Sequence, residues 1–542
     1  MPTLPAIKFD SYYLHQELTA HLQQVAAAAP ERVKLHNLCT TAEGREEWLV
    51  EVTDFAAGPP EEKPGYLVHA NLHAVEVSGT TASLVLLQQL LTAPAAADLL
   101  REVVFNIIPR INPDGAEYAL TTGGQIRSKY EVRPRQNGLV PQDLNGDGQV
   151  LFMRWQDPYG TRRQDEEDGR LMIGRKPGDT GPFYHVMREG VIENYDGGTI
   201  QEALRSFDFN RNWGYNWQPE HIQYGAGDYS FSNPELRAVA DWVGTHPNVF
   251  GMLGFHNGCN GVLRPSATTA DDDMNAADVW MMKELGLIGE RLTGFKLRPV
   301  RDYRSDASKP ISLKGHFTDW GYFSLGLFVF EIELGSVYNA AGISTDEYFS
   351  ADEHTREVVF MRQVLKYADT KPGEGFVDWQ PFEHPQLGPV EIGGLKSVFW
   401  GTPPPQALDA IGSHCADFIL EHARRHPALE VHSLRADPVG GDVYRVRATV
   451  ANTGGLPTQI TEHGHKAARN GPVTIRLVAD EAVELLSRQA GLEVGSLAAM
   501  IGHVDLEWFV RGPAGPAVTV EATAPKAGVA RASVQLPPPG ST

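Results

Sequence analysis

The sequence predicts an α/β protein built on a mixed open sheet with helices on both faces, followed by a C-terminal antiparallel β-sandwich. Three observations predict it. Short apolar runs alternate with stretches of helical period over 64–120 and again over 232–370; strands that apolar are buried on both faces and need helices to cover them. From about 427 the pattern becomes short strands separated by turn residues, which is sandwich-like. At 542 residues the chain also exceeds what one compact core serves. The expected organisation is a catalytic-type unit over 1–426, carrying an insertion at 116–207, and an accessory sandwich over 427–542.

The elements follow in order. "PGYLVHANL" reads as a buried strand, and "SGTTASLVLLQQLLTAP" as a helix with Ser78 or Thr80 near its start and Pro94 past its end. "EVVFNIIPRIN" is a second strand, which the turn-former "NPDG" is expected to close. Residues 116–207 are irregular, charged and glycine-rich, too long for an ordinary loop. Then come a helix in "SNPELRAVADWVGTHP", a strand in "NVFGMLGFHN", a helix in "MNAADVWMMKELGLIGERLTGF", a central strand in "GLFVFEIELG" and a helix in "EHTREVVFMRQVLKYADT". The sandwich strands are expected in "ALEVHSLRAD", "DVYRVRATVAN", "GPVTIRLVAD", "HVDLEWFVRG" and "AVTVEATAP".

Bulk composition narrows the function classes. The net charge of −21 argues against nucleic acid as a partner, because phosphate neutralisation needs basic patches. No run reaches the roughly 18 apolar residues of a membrane span, so no membrane partner is expected. Three cysteines without CxxC spacing make no disulfide framework. The first residues lack a basic start followed by an apolar stretch, which predicts a cytoplasmic protein, or a secreted one if a leader has been removed. Oligomeric state is not legible.

The chemistry concentrates at strand ends. His73 and Glu76, in "NLHAVEVSG", lie where a strand ends and a helix begins, the place where open α/β sheets carry their sites. His256 ends another strand. Two histidines and a glutamate, with the fourth position open to water, form a catalytic zinc pattern. "RINPDG", "DFNRNW" (208–213) and the strand-ending "FEIELG" accompany it.

In this order the motifs resemble the zinc metallocarboxypeptidase family, of the carboxypeptidase A and B type, over about residues 60–370 with the insertion between. The sandwich resembles accessory domains of some bacterial members. The resemblance implies a carboxypeptidase-like fold, one zinc held by His73, Glu76 and His256, and a peptide substrate with a free C-terminus. It implies Asp208 as the carboxylate that orients the first histidine, Asn210 and Arg211 as the pair binding the terminal carboxylate, and Arg127 as the oxyanion-stabilising arginine, with Arg133 or Arg154 as substitutes. It implies Glu333 as general base. Glu331 is the rival on the same strand face, and is expected instead to pair with an arginine.

Two departures stand out. Ile311 occupies the place of the family's mobile tyrosine, for which Tyr303, Tyr322 or Tyr338 could substitute. Val75 stands where the digestive enzymes carry an arginine, so one subsite contact is expected to be lost. Thr318 lies near where the family sets side-chain specificity but decides nothing by its chemistry. Asp143, Asn145 and Asp147 alternate like the start of a calcium loop, with "DEED" (165–168) as possible help, although Arg154 replaces the closing glutamate. His463 and His465 read as a solvated loop pair. The alternatives are a zinc amidohydrolase or deacylase, a murein-peptide hydrolase, or a catalytically degenerate protein that binds peptide or glycan.

Overall fold

The computed structural model describes residues 3–303, 312–467 and 469–538. Its largest sheet has eight strands. In chain order they are β1 (Val33–Thr40), β2 (Glu46–Val52), β3 (Gly65–Ala70), β4 (Val104–Ile108), β5 (Val249–His256), β6 (Gly261–Arg264), β7 (Leu297–Pro299) and β8 (Phe328–Glu333). They lie side by side as β1-β2-β4-β3-β5-β8-β6-β7. The sheet is mixed: β4, β3, β5 and β8 are mutually parallel, and β1, β2 and β6 run against a neighbour.

Helices cover both faces. On one, Tyr66 of β3 donates to or accepts from His422 Nδ1 at 2.8 Å, and Phe330 of β8 meets Phe418, so helix Leu408–Ala423 packs there. Helix Ser78–Thr92 joins it: a Cβ on Gly79 would lie 2.9 Å from Ala70 Cβ, and only glycine lets the helix sit that close. On the other face Trp213 and Phe317 pack against His69 of β3, and helix Pro234–Thr245 covers the β1 edge. Trp213 is fully buried in this packing.

"NPDG" departs from expectation. Asn112 caps a helix, Pro113–Thr122, by accepting the Gly115 N–H at 3.0 Å. Proline at the first helical position loses no hydrogen bond, so turn-forming residues here start a helix.

The 116–207 stretch makes nine short strands from Lys129–Val132 to Leu204–Phe207. Four of them do not close on themselves. Phe152–Gln156, Arg162–Gln164, Met172–Gly174 and Tyr184–Arg188 join the later hairpin Phe376–His384/Gly388–Leu395 in one six-stranded sheet. That hairpin was not legible as paired with them.

Beyond Leu429 the chain forms two antiparallel four-stranded sheets. Along Val443–Asn452 Tyr444, Val446, Ala448 and Val450 point inward alternately, and with Trp508 and Val520 they fill a separate core. This unit is pinned to the first. Asp278 accepts the N–H groups of Glu462 and His463 at 2.8 and 2.9 Å and the Tyr322 hydroxyl at 2.8 Å. His463 is therefore no solvated loop residue: it sits in the short helix Glu462–Lys466, against Tyr322 and 3.1 Å from the Phe323 carbonyl. Asp278→Ala would leave three donors unpaired at this junction, and a loss of about 3 kcal/mol of unfolding free energy is expected. Urea unfolding checks it; a loss below about 0.5 kcal/mol, the size of an ordinary surface change, would contradict it.

Candidate metal centre

Parallel pairing brings the site together. The carboxyl ends of β3, β5 and β8 share one edge, and the β5–β8 register sets His256 beside Glu333. After β3, Asn71 takes φ 57°, and its side-chain amide donates to the His73 carbonyl at 2.7 Å. This corner turns His73 and Glu76 back over the sheet edge. His73 Nδ1 lies 2.9 Å from Glu76 Oε1 and 3.2 Å from His256 Nδ1, and His256 Nδ1 lies 3.0 Å from Glu76 Oε2. All three side chains are buried.

Donor chemistry fits zinc. Two ring nitrogens facing each other at 3.2 Å can share a proton, or a cation where both offer lone pairs. The three donors, all within 4.8 Å of one another, offer the N, N, O set of an open tetrahedral zinc site. Among the described residues this is the one such cluster. Calcium finds no support: Asp143 accepts the Gly146 and Gly148 N–H groups of its own turn, and Asp165 and Asp168 are held by Arg362 and Arg170.

The surrounding charges keep the carboxylates ionised. Asp208 Oδ1 lies 3.1 Å from His73 Nε2, behind the ring, where it fixes the tautomer that offers Nδ1. Burial opposes the Asp208 charge, but Arg211, Arg127 and His73 outweigh it and hold its pKa well below the carboxylate range. Burial likewise opposes the Glu76 charge, and His73 and His256 overcome it. Arg127 donates to Glu76 Oε1 and Asp208 Oδ2, both at 3.0 Å. The substitutes stand elsewhere: Arg154 is bound to Glu391 in the six-stranded sheet, and Arg133 is on the surface.

Glu333 is buried at the end of β8, where a Cβ on Gly258 would come within 2.8 Å of its Oε2. Glycine at 258 is what admits the carboxylate. Glu331 does not pair with an arginine as expected. It lies 3.3 Å from His256 Nε2 and 3.7 Å from His316 Nε2, and accepts the Asn210 amide at 3.0 Å. Burial opposes its charge, but His316 and His256 draw its pKa far down, while burial pushes His316 itself down to about 4. Asn210 also accepts the Phe317 N–H at 2.9 Å, so both ends of its amide are engaged with protein. Sequence reasoning missed His316. The one signal was its position just before "FTDW"; Thr318, singled out instead, is buried and its hydroxyl faces His316 Nδ1 at 3.0 Å.

His73, His256, Glu333, Arg211, His316 and Glu331 share a cavity of about 40 Å³. Of the three tyrosines, Tyr303 lines this cavity and donates to the Cys259 carbonyl at 2.5 Å. Tyr322 is bound to Asp278 at the sandwich junction, and Tyr338 lines two neighbouring cavities instead. Ile311 lies outside the described residues.

Comparison with known proteins gives the family. A family model described as zinc carboxypeptidase matches residues 18–351. The chain belongs to the zinc carboxypeptidase family. A domain of unknown function matches residues 428–535. Among curated relatives, a zinc carboxypeptidase of Saccharothrix mutabilis subsp. capreolus is 29% identical over 141 residues, covering 25% of this chain and 32% of its own. Carboxypeptidase D of Mus musculus is 29% identical over 379 residues, covering 66% of this chain and 21% of its own. The chain thus spans a third or less of these relatives. Carboxypeptidase A from Helicoverpa armigera, a solved structure, is 16% identical, with 68% of this chain and 76% of that one covered and a TM-score of 0.41.

Proposed function

We propose that the protein is a zinc-dependent metallocarboxypeptidase that removes C-terminal residues from peptides. The observation that carries this reading is a single small cavity lined at once by the His–Glu–His donor set's two histidines, by Glu333 and by Arg211. His73, Glu76 and His256 would hold the metal. Zinc, when bound, supplies Lewis-acid activation of water and of the scissile carbonyl.

The chain's own groups do the rest. Glu333 takes the proton of the attacking water and passes it to the departing amine. Arg127, which lines the cavities on both sides of the donor set, steadies the charge developing on the carbonyl oxygen. Arg211 captures the terminal carboxylate, for which a planar guanidinium is suited. Asn210 acts by holding Glu331 and the turn at Phe317, so more of the carboxylate recognition falls on Arg211. Asp208 keeps the His73 ring in place.

Arg211→Met is expected to lower kcat/KM about 100-fold on peptides with a free C-terminus, the cost of losing substrate positioning, and to change ester substrates lacking that carboxylate little. Equal losses on both would show that Arg211 does not read the carboxylate. The primary test is metal analysis with hydrolysis of a mixed peptide pool followed by mass spectrometry. About one zinc per chain, with single C-terminal residues lost and the loss stopped by chelator, is the expected result. No zinc after reconstitution would overturn the reading; zinc with cleavage of N-acyl amino acids alone would replace it with a deacylase.

A further inference from the structure

Resting on the carboxypeptidase reading, the geometry points to an extended groove upstream of the scissile bond that selects a carboxylate through Arg356. If the small cavity takes the C-terminal residue, the residues before the bond lie across the donor set. A cleft of about 550 Å³ opens there, lined by Val75, Glu76, Arg127, Tyr303, Arg356 and Trp400. It does not end at Trp400. A second cavity of about 540 Å³ shares Tyr338, Tyr348, Arg356 and Trp400 with it and continues to Phe152, Arg162 and Ile173 of the inserted strands. Each has the volume of a ligand site. The insertion therefore builds the far end of a groove whose near end touches the donor set.

Charge supplies the selectivity. Four arginines nearby are occupied, Arg154 by Glu391, Arg163 by Asp179, Arg170 by Asp168 and Asp369, and Arg362 by Asp165, whereas Arg162, like Arg356, lines the far cavity itself. Arg356 is half-buried at the junction; among the described residues no carboxylate lies within ion-pair distance of it, and Asp352, one turn earlier, feels its charge only at longer range. Tyr338 and Tyr348, with ring centroids 4.7 Å apart, and Trp400 give it an apolar frame in which a charge-assisted hydrogen bond is worth more than in water. In the near cleft the one lining carboxylate is Glu76, already held by Arg127. The far cavity is mixed, with Glu353, Glu357 and Arg162. An acidic side chain thus fits at the junction, about two or three residues before the bond. Arg356 adds, from a helix far along the chain, a second guanidinium to a cleft whose other one, Arg127, is held by Glu76 and Asp208.

The test uses zinc-loaded full chain and N-acetylated hexapeptides with one C-terminal residue, carrying Glu, Gln or Lys scanned through the upstream positions. Roughly tenfold higher kcat/KM for Glu over Gln at the second or third upstream position is expected, the size of one charged hydrogen bond. Arg356→Gln should erase that preference while leaving an acylated dipeptide turned over as before. No Glu preference at any position, or one that survives Arg356→Gln, would overturn the proposal. If not even the dipeptide is cut, the carboxypeptidase reading fails separately; calorimetric binding of the Glu and Gln hexapeptides then decides the groove, and equal affinities would refute it.

Discussion

Glu333→Gln is expected to lower kcat about a thousandfold while zinc content and KM stay near those of the parent, because general-base catalysis contributes roughly 10²–10⁴. Glutamine keeps the shape and removes the basic oxygen. The carboxylate is buried at the end of β8 and shares the small cavity with both metal-site histidines, so water has little other access to a base there. Glu331, two residues earlier on the same face, is committed to His256, His316 and Asn210 and cannot take over. Single-turnover kinetics of the zinc-loaded variant check this. A variant with more than a tenth of the parent kcat would remove Glu333 from the base role.

His256→Ala is expected to cost the metal and the activity together. It deletes one of three protein donors, and losing merely a residue that orients a ligand already lowers affinity roughly 10–100-fold. Chelator competition on the purified variant should show zinc affinity reduced at least 1000-fold, about 4 kcal/mol, with hydrolysis gone. Asp208→Asn, which spares the donors but removes the carboxylate behind His73, should fall between the parent and this variant. Zinc retained at parent affinity in His256→Ala would mean that the metal sits elsewhere.

Much of the candidate site's convergence was legible because it depends on strand periodicity and local motifs. His73 and Glu76 stand three residues apart in one corner, and His256 and Glu333 each end an apolar run. Once those runs form adjacent parallel strands, their ends must meet on one edge. The fold class followed from the same alternation, and the sandwich from its turn-punctuated short strands.

What the sequence by itself determined, then, is which residues are candidates for the proposed chemistry and which strand ends present them. Only the tertiary structure decided their partners. Glu331 and Glu333 are equivalent by period; Glu331 meets imidazoles rather than an arginine because β5 and the turn at His316 bring them to it from 75 and 15 residues away in sequence. The turn-forming "NPDG" became a helix start because Asn112 found a backbone N–H to accept. Four of the inserted strands gained their sheet from a hairpin that begins at Phe376. Periodicity reports which face of an element is buried, but long-range pairing is set by packing of the whole chain, and a buried polar group takes whatever partner that packing delivers.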